Sequence, residues 1–155
     1  MEELKEIKKE LEEILERVNT KLDGDDKKYW LIHNGEIMQY TDDGHRLDIF
    51  NKEIGNFFKT EKEAEKYLED LKVKTEIKNI AKELNKGKEI NWRDCFQDKY
   101  FLIYSHVDSE VSNARYNNNY PWKSEGTIHC LDSDFADECI KRIGKERLEN
   151  YLKRN

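Results

Sequence analysis

Leu4, Ile7, Leu11, Ile14 and Val18 open the chain at spacings of three and four, with Glu and Lys filling most positions between them. This is the a/d seam of a heptad on strong helix-forming residues, and it predicts an N-terminal helical arm over residues 1–24, ended by Asp23-Gly24-Asp25-Asp26. A short helix with a narrow apolar stripe is marginal alone in water, so the stripe must be covered. Two coverings stay open: packing in cis on the rest of the chain, or a short coiled coil between copies. The second makes the arm a dimerisation device and gives those five side chains the oligomerisation role.

The pattern then switches to strands. Tyr29-Trp30-Leu31-Ile32-His33 and Glu36-Ile37-Met38-Gln39-Tyr40 flank Asn34-Gly35, the strongest short hairpin signal, because a type I′ turn needs positive φ at both central residues. A two-residue turn sets Leu31 opposite Met38, Ile32 opposite Ile37 and Tyr29 opposite Tyr40. Thr41-Asp42-Asp43-Gly44 reads as a second turn, Arg46–Phe50 as a third strand, and Asn56–Phe58 as a short one. Thr60 with Glu63 forms a capping box for a long helix ending near Asn85. Ala64, Tyr67, Leu68 and Leu71 fall on one side of it, and Val73, Ile77, Ile80, Ala81 and Leu84 fall roughly opposite at 100° per residue. Either the helix bends near Lys72 or, the favoured reading, its halves bury opposite faces.

Past Lys86-Gly87, Glu89–Trp92 reads as a connector that plants Trp92 in the core. The apolar run Tyr100–Tyr104 predicts a central strand, and Asp108–Glu125 a polar loop. A return strand is expected over Thr127–Leu131. Asp132 then caps a helix bearing Ala136, Ile140 and Ile143, Gly144 ends it, and a last helix carries Leu148, Tyr151 and Leu152. Thr60 to Ala64 and Asp132 to Ala136 echo each other as strand-to-helix junctions. The fold class expected is α+β: a coiled-coil-like helix, then one domain (25–155) whose antiparallel sheet carries two hairpin–helix modules, 28–86 and 87–155, with helices packed on the sheet.

Charged residues make up 40% of the 155 positions, but aromatics reach 11% and Pro and Gly are few, which favours a folded domain with a charged surface over disorder. The formal net charge is -6 with both signs interleaved, so electrostatic capture of nucleic acid is not signalled. Cys95, Cys130 and Cys139 form an odd set without framework spacing and read as reduced thiols of a cytoplasmic protein. No run approaches the roughly 20 apolar residues of a membrane span, and the N-terminus lacks the apolar stretch of a signal peptide.

The candidate chemistry is thin. His33, His45, His106 and His129 are scattered, and none repeats at metal-ligand spacing with a cysteine. His129 and Cys130 adjoin on a strand and so point to opposite faces, which spoils them as a base and nucleophile. His45-Arg46-x-Asp48 lacks the second carboxylate cluster of a nuclease, and no Gly-rich phosphate loop occurs. No catalytic residue, metal or cofactor is therefore expected. The loop Asp108–Glu125 is the best candidate for function. Arg115, Tyr116, Asn118, Tyr120 and Trp122 combine rigid aromatics with adaptable amides, as protein-binding surfaces do. The same aromatics suit stacking on unpaired bases, which would make the chain a nucleic-acid-binding regulator. The plain alternative is a surface loop with Trp122 tucked into the core.

The element Gly55-Asn56-x-Phe58-x-Thr60-x-x-x-Ala64-Glu65, following a Tyr-Trp hairpin, resembles small proteins carried by phages and prophages of Gram-positive bacteria. Tyr100–Tyr104, the later cap with Ala136, and Ile143-Gly144-x-x-x-Leu148 look like the second half of that family. The resemblance spans about residues 28–153 and leaves out the arm; its motifs are a turn glycine, a capping oxygen and core aromatics. It brings no catalytic signature. It implies a mobile-element accessory protein in the cytoplasm of a bacterial host. Such proteins bind and block host machinery, including CRISPR effectors and other anti-phage systems.

Overall fold

The computed structural model describes residues 6, 7, 9–16, 27–115 and 126–154. Among these the chain is α+β, with five helices and two small antiparallel sheets rather than the single sheet expected. Residues 9–16 are helical. After them come β1 (Lys28–His33), β2 (Glu36–Thr41), α1 (Arg46–Glu53), α2 (Glu61–Leu84), β3 (Tyr100–Ser105), β4 (Glu110–Arg115), β5 (His129–Cys130), α3 (Phe135–Ile143) and α4 (Lys145–Arg154). Two compact units divide the chain, Met1–Leu68 and Glu69–Asn155, and the boundary falls inside α2.

In the first unit β1 and β2 pair in the expected register: Tyr29 with Tyr40, Leu31 with Met38, Ile32 with Ile37. Asn34 at φ 52° and Gly35 at φ 83° supply the positive angles their turn needs. Arg46–Phe50 is a helix, not a strand. Asp48 decides it: its Oδ2 accepts from the His45 N–H (3.0 Å) and the Asp43 N–H (3.2 Å), closing the first turn, while Oδ1 accepts from the Tyr29 hydroxyl at 2.7 Å. Asp48 and Asn51 are the buried residues of α1, and Leu47, Phe50 and Ile54 are left exposed. The expected strand at 56–58 reduces to one bridge, Phe58 with Trp30. Beside it the Asn56 side chain imitates a strand, accepting from the Ile32 N–H (2.8 Å) and donating to the Ile32 carbonyl (3.0 Å).

Thr60 opens α2 as expected. Its hydroxyl accepts from the Glu63 N–H at 3.2 Å, while the Glu63 carboxylate reaches back to the Lys59 N–H at 3.0 Å. Ala64, in the first unit, is fully buried; Tyr67 and Leu71 are exposed, unlike the continuous apolar side expected. Val73, Ile77, Ile80 and Ala81 are buried in the second unit, on the opposite face of the helix.

In the second unit β3 is central, in the order β4-β3-β5. The return strand of its hairpin is β4, inside the stretch read as loop; the strand expected at Thr127–Leu131 shrinks to β5. Val111 is the one buried residue of β4, so an edge strand this polar carries little periodic signal. Val73, Ile77 and Ile80 join Val111, Cys130, Phe135, Cys139, Ile143, Leu148 and Tyr151 in the core. The helix after Asp132 starts later than expected, with Asp134 at its N-cap. The Asp132 carboxylate instead accepts from the Asp134 N–H at 2.9 Å, an Asx turn that leads the chain into α3. Gly144, at φ 95°, ends α3 as expected.

Candidate binding surface

β4 ends at Arg115, opposite Tyr100 at the start of β3. The loop before β3 therefore shares one end of the sheet with Arg115, one of the residues expected to bind a partner. Arg115 is exposed, and its guanidinium reaches back to Asp98, with Nε 2.9 Å from Oδ1. Tyr116, Asn118, Tyr120 and Trp122 lie outside the described residues.

The loop before β3 is stitched by its own polar groups. Lys99 is buried, and its ammonium donates to the carbonyls of Asp94 (2.9 Å) and Gln97 (2.8 Å). Asn91 and Asp94 each close an Asx turn, onto the Arg93 N–H (3.1 Å) and the Phe96 N–H (2.9 Å). The Gln97 side chain accepts from the Asn91 N–H at 2.7 Å. A cation held by carbonyls at the centre of a turn does what a bound metal ion does in other loops: it fixes the backbone from inside. Cys95 and Phe96 sit at the outer edge, and Phe96 is 89% exposed. In the same loop Trp92 is half-buried, edge-on to the buried His129 ring (4.9 Å, 90°), and Phe101 flanks the same imidazole at 5.6 Å. Sequence reading passed over Phe96, because one aromatic in a polar loop has no periodicity to mark it.

The remaining chemistry-bearing residues disperse. His33, His45 and His106 are exposed, and His106 stands edge-on to Tyr104. Among the described residues no three His, Cys, Asp or Glu side chains gather as metal ligands would. Burial pushes the Cys130 thiol above its ordinary value, and burial together with the neighbouring Cys130 pushes Cys139 up to about 12. Both are protonated at neutral pH and so are poor nucleophiles. A cleft of about 470 Å³ in the second unit is lined by Ile77, Leu102, Tyr104, Ile128, Tyr151 and Lys74, without a converging acid–base pair.

On the arm, Ile7, Leu11 and Ile14 are exposed; Leu4 and Val18 lie outside the described residues. None of the described helices is long and apolar enough to cross a membrane. No family model matches the chain, and comparison with curated proteins and with solved structures gives no match.

Proposed function

We propose that this chain is a non-enzymatic accessory protein of a phage or prophage. In this reading it binds a bacterial host protein and inhibits an anti-phage defence effector, such as a CRISPR-Cas nuclease, acting as a homo-oligomer assembled through its arm. The resemblance at Gly55–Glu65 supplies the setting. One observation carries the mode of action: Phe96 stands out in solvent on a loop whose backbone is already fixed by Lys99. An aromatic held ready loses little conformational entropy on docking, and such side chains supply much of the affinity at protein interfaces. Arg115, also of a type enriched at such contacts, leaves the sheet at the same end.

The test is capture of host proteins by the tagged chain, with inhibition of a purified effector as the second readout. Phe96→Ala removes an exposed side chain, so the fold survives. It is expected to weaken partner binding by about 2 kcal/mol, roughly thirtyfold in Kd. Equal capture and equal inhibition by Phe96→Ala and the native chain would refute the surface. Salt-dependent shifting of nucleic acid would favour the regulator instead.

A further inference from the structure

α1 is inside out. Asp48 and Asn51 face inward, tied to Tyr29, while Leu47, Phe50 and Ile54 form a stripe at i, i+3, i+7 facing solvent. The arm carries a second uncovered stripe, Ile7, Leu11 and Ile14. All six side chains are between 52% and 57% exposed, so within a single chain neither stripe covers the other. We propose that they cover each other between two copies: the Ile7–Leu11–Ile14 seam of one chain lies antiparallel along Leu47–Phe50–Ile54 of a second, and the second returns the contact. This rests on the reading that the arm is the assembly device, and it names what the arm grips.

Three features single out this occupant. The first is axial register. At 1.5 Å per residue, Phe50 and Ile54 stand about 4.5 and 10.5 Å beyond Leu47, and Leu11 and Ile7 stand the same distances back from Ile14. Antiparallel stacking thus pairs Leu47 with Ile14, Phe50 with Leu11, and Ile54 with Ile7. The second is charge. At 100° per residue, Arg46 flanks its stripe on the same side as Glu10 and Glu13 flank theirs, and antiparallel helices appose like flanks. Among the described residues Arg46 has no ion pair. Glu53, at the other end, falls by Glu6 and offsets part of this. The third is area. An arm-to-arm coiled coil would leave the α1 stripe bare and rest on one short seam, whereas the reciprocal exchange closes two seams and covers both stripes on each copy.

The experiment uses disulfide trapping in the full chain. Cys95→Ser removes the exposed native thiol; Cys130 and Cys139 are buried. In that background, Leu11→Cys and Phe50→Cys chains are purified separately, mixed and mildly oxidised. A covalent dimer in the mixture, absent from either chain alone, is the expected result. Dimers from Leu11→Cys alone would show arm gripping arm: the docking surface would fall while the arm stayed an assembly device. A chain carrying both cysteines that closes on itself as a covalent monomer would overturn the exchange in favour of packing in cis. No trapping at all, with a monomeric mass by light scattering, would overturn both the exchange and the arm's role. Phe50→Glu gives an independent readout, since an exposed position tolerates the charge in the folded chain. It should raise the dimer dissociation constant about tenfold or more with unchanged circular dichroism, and an unaltered dissociation constant would overturn the proposal.

Discussion

Asp48 and Lys99 are charged side chains that this fold buries, and in both cases the interior supplies the partners that water would have given. Asp48 takes one hydroxyl and two backbone N–H donors. The Tyr29 hydroxyl, above all, holds its carboxyl below the ordinary 3.8. A depressed folded-state pKa stabilises the fold at pH above the unfolded value and is lost as pH falls through the folded one. Thermal melts taken from neutral pH down through the carboxylate range should show the native chain more stable than Asp48→Asn, with the gap closing in acid; a gap independent of pH would contradict this. The thiols give a second test at the same scale. Cys95 is exposed, whereas burial raises Cys130 and Cys139. An aromatic disulfide reagent at neutral pH should therefore modify Cys95 at once and the other two only after denaturant is added.

At the scale of elements, the hairpin β1–β2 stands on a side chain as much as on its own ladder. Asn56 satisfies both the N–H and the carbonyl of Ile32 on the edge that β2 does not cover. Asn56→Ala would leave these groups half-buried without partners, and we expect a loss of about 1–3 kcal/mol, read by denaturant titration. Asn56→Asp keeps the acceptor but loses the donor and should fall between. The hairpin itself was legible because turn chemistry, alternation and cross-strand pairing all agree on one register. α1 was not, because its buried face is polar: Leu47 and Ile49 stand two apart as a strand's side chains would, and only the hydrogen bonds of Asp48 reveal the helix. β4 was missed for a related reason, having a single buried side chain. The candidate surface was half legible. Composition singles out Arg115, but its place at the end of β4 does not follow from the pattern, because that strand reads as loop; nor do the Lys99-centred loop and Phe96, since carbonyl ligation by an ammonium leaves no trace in residue spacing.

At the scale of the whole molecule the two units differ in how much they bury. Among the described residues of the first unit, the buried apolar side chains are Tyr29, Leu31 and Ala64, supported by the Asp48–Asn51–Asn56 network. The second unit holds the cluster from Val73 through Phe135 to Tyr151. Its helices are further tied by Arg147 to Glu69 (2.7 Å) and Glu76 (3.0 Å), although exposed pairs of this kind add only about 1 kcal/mol or less each. Burial of apolar surface is the main stabilising term, so the units should not share one free energy of opening. Trp30 reports the first and Trp92 the second. A chain keeping only Trp30 (Trp92→Phe, Trp122→Phe) should lose its native fluorescence at lower denaturant than one keeping only Trp92 (Trp30→Phe, Trp122→Phe). Coincident transitions would instead mean that α2, running from one unit into the other, couples them into a single cooperative body.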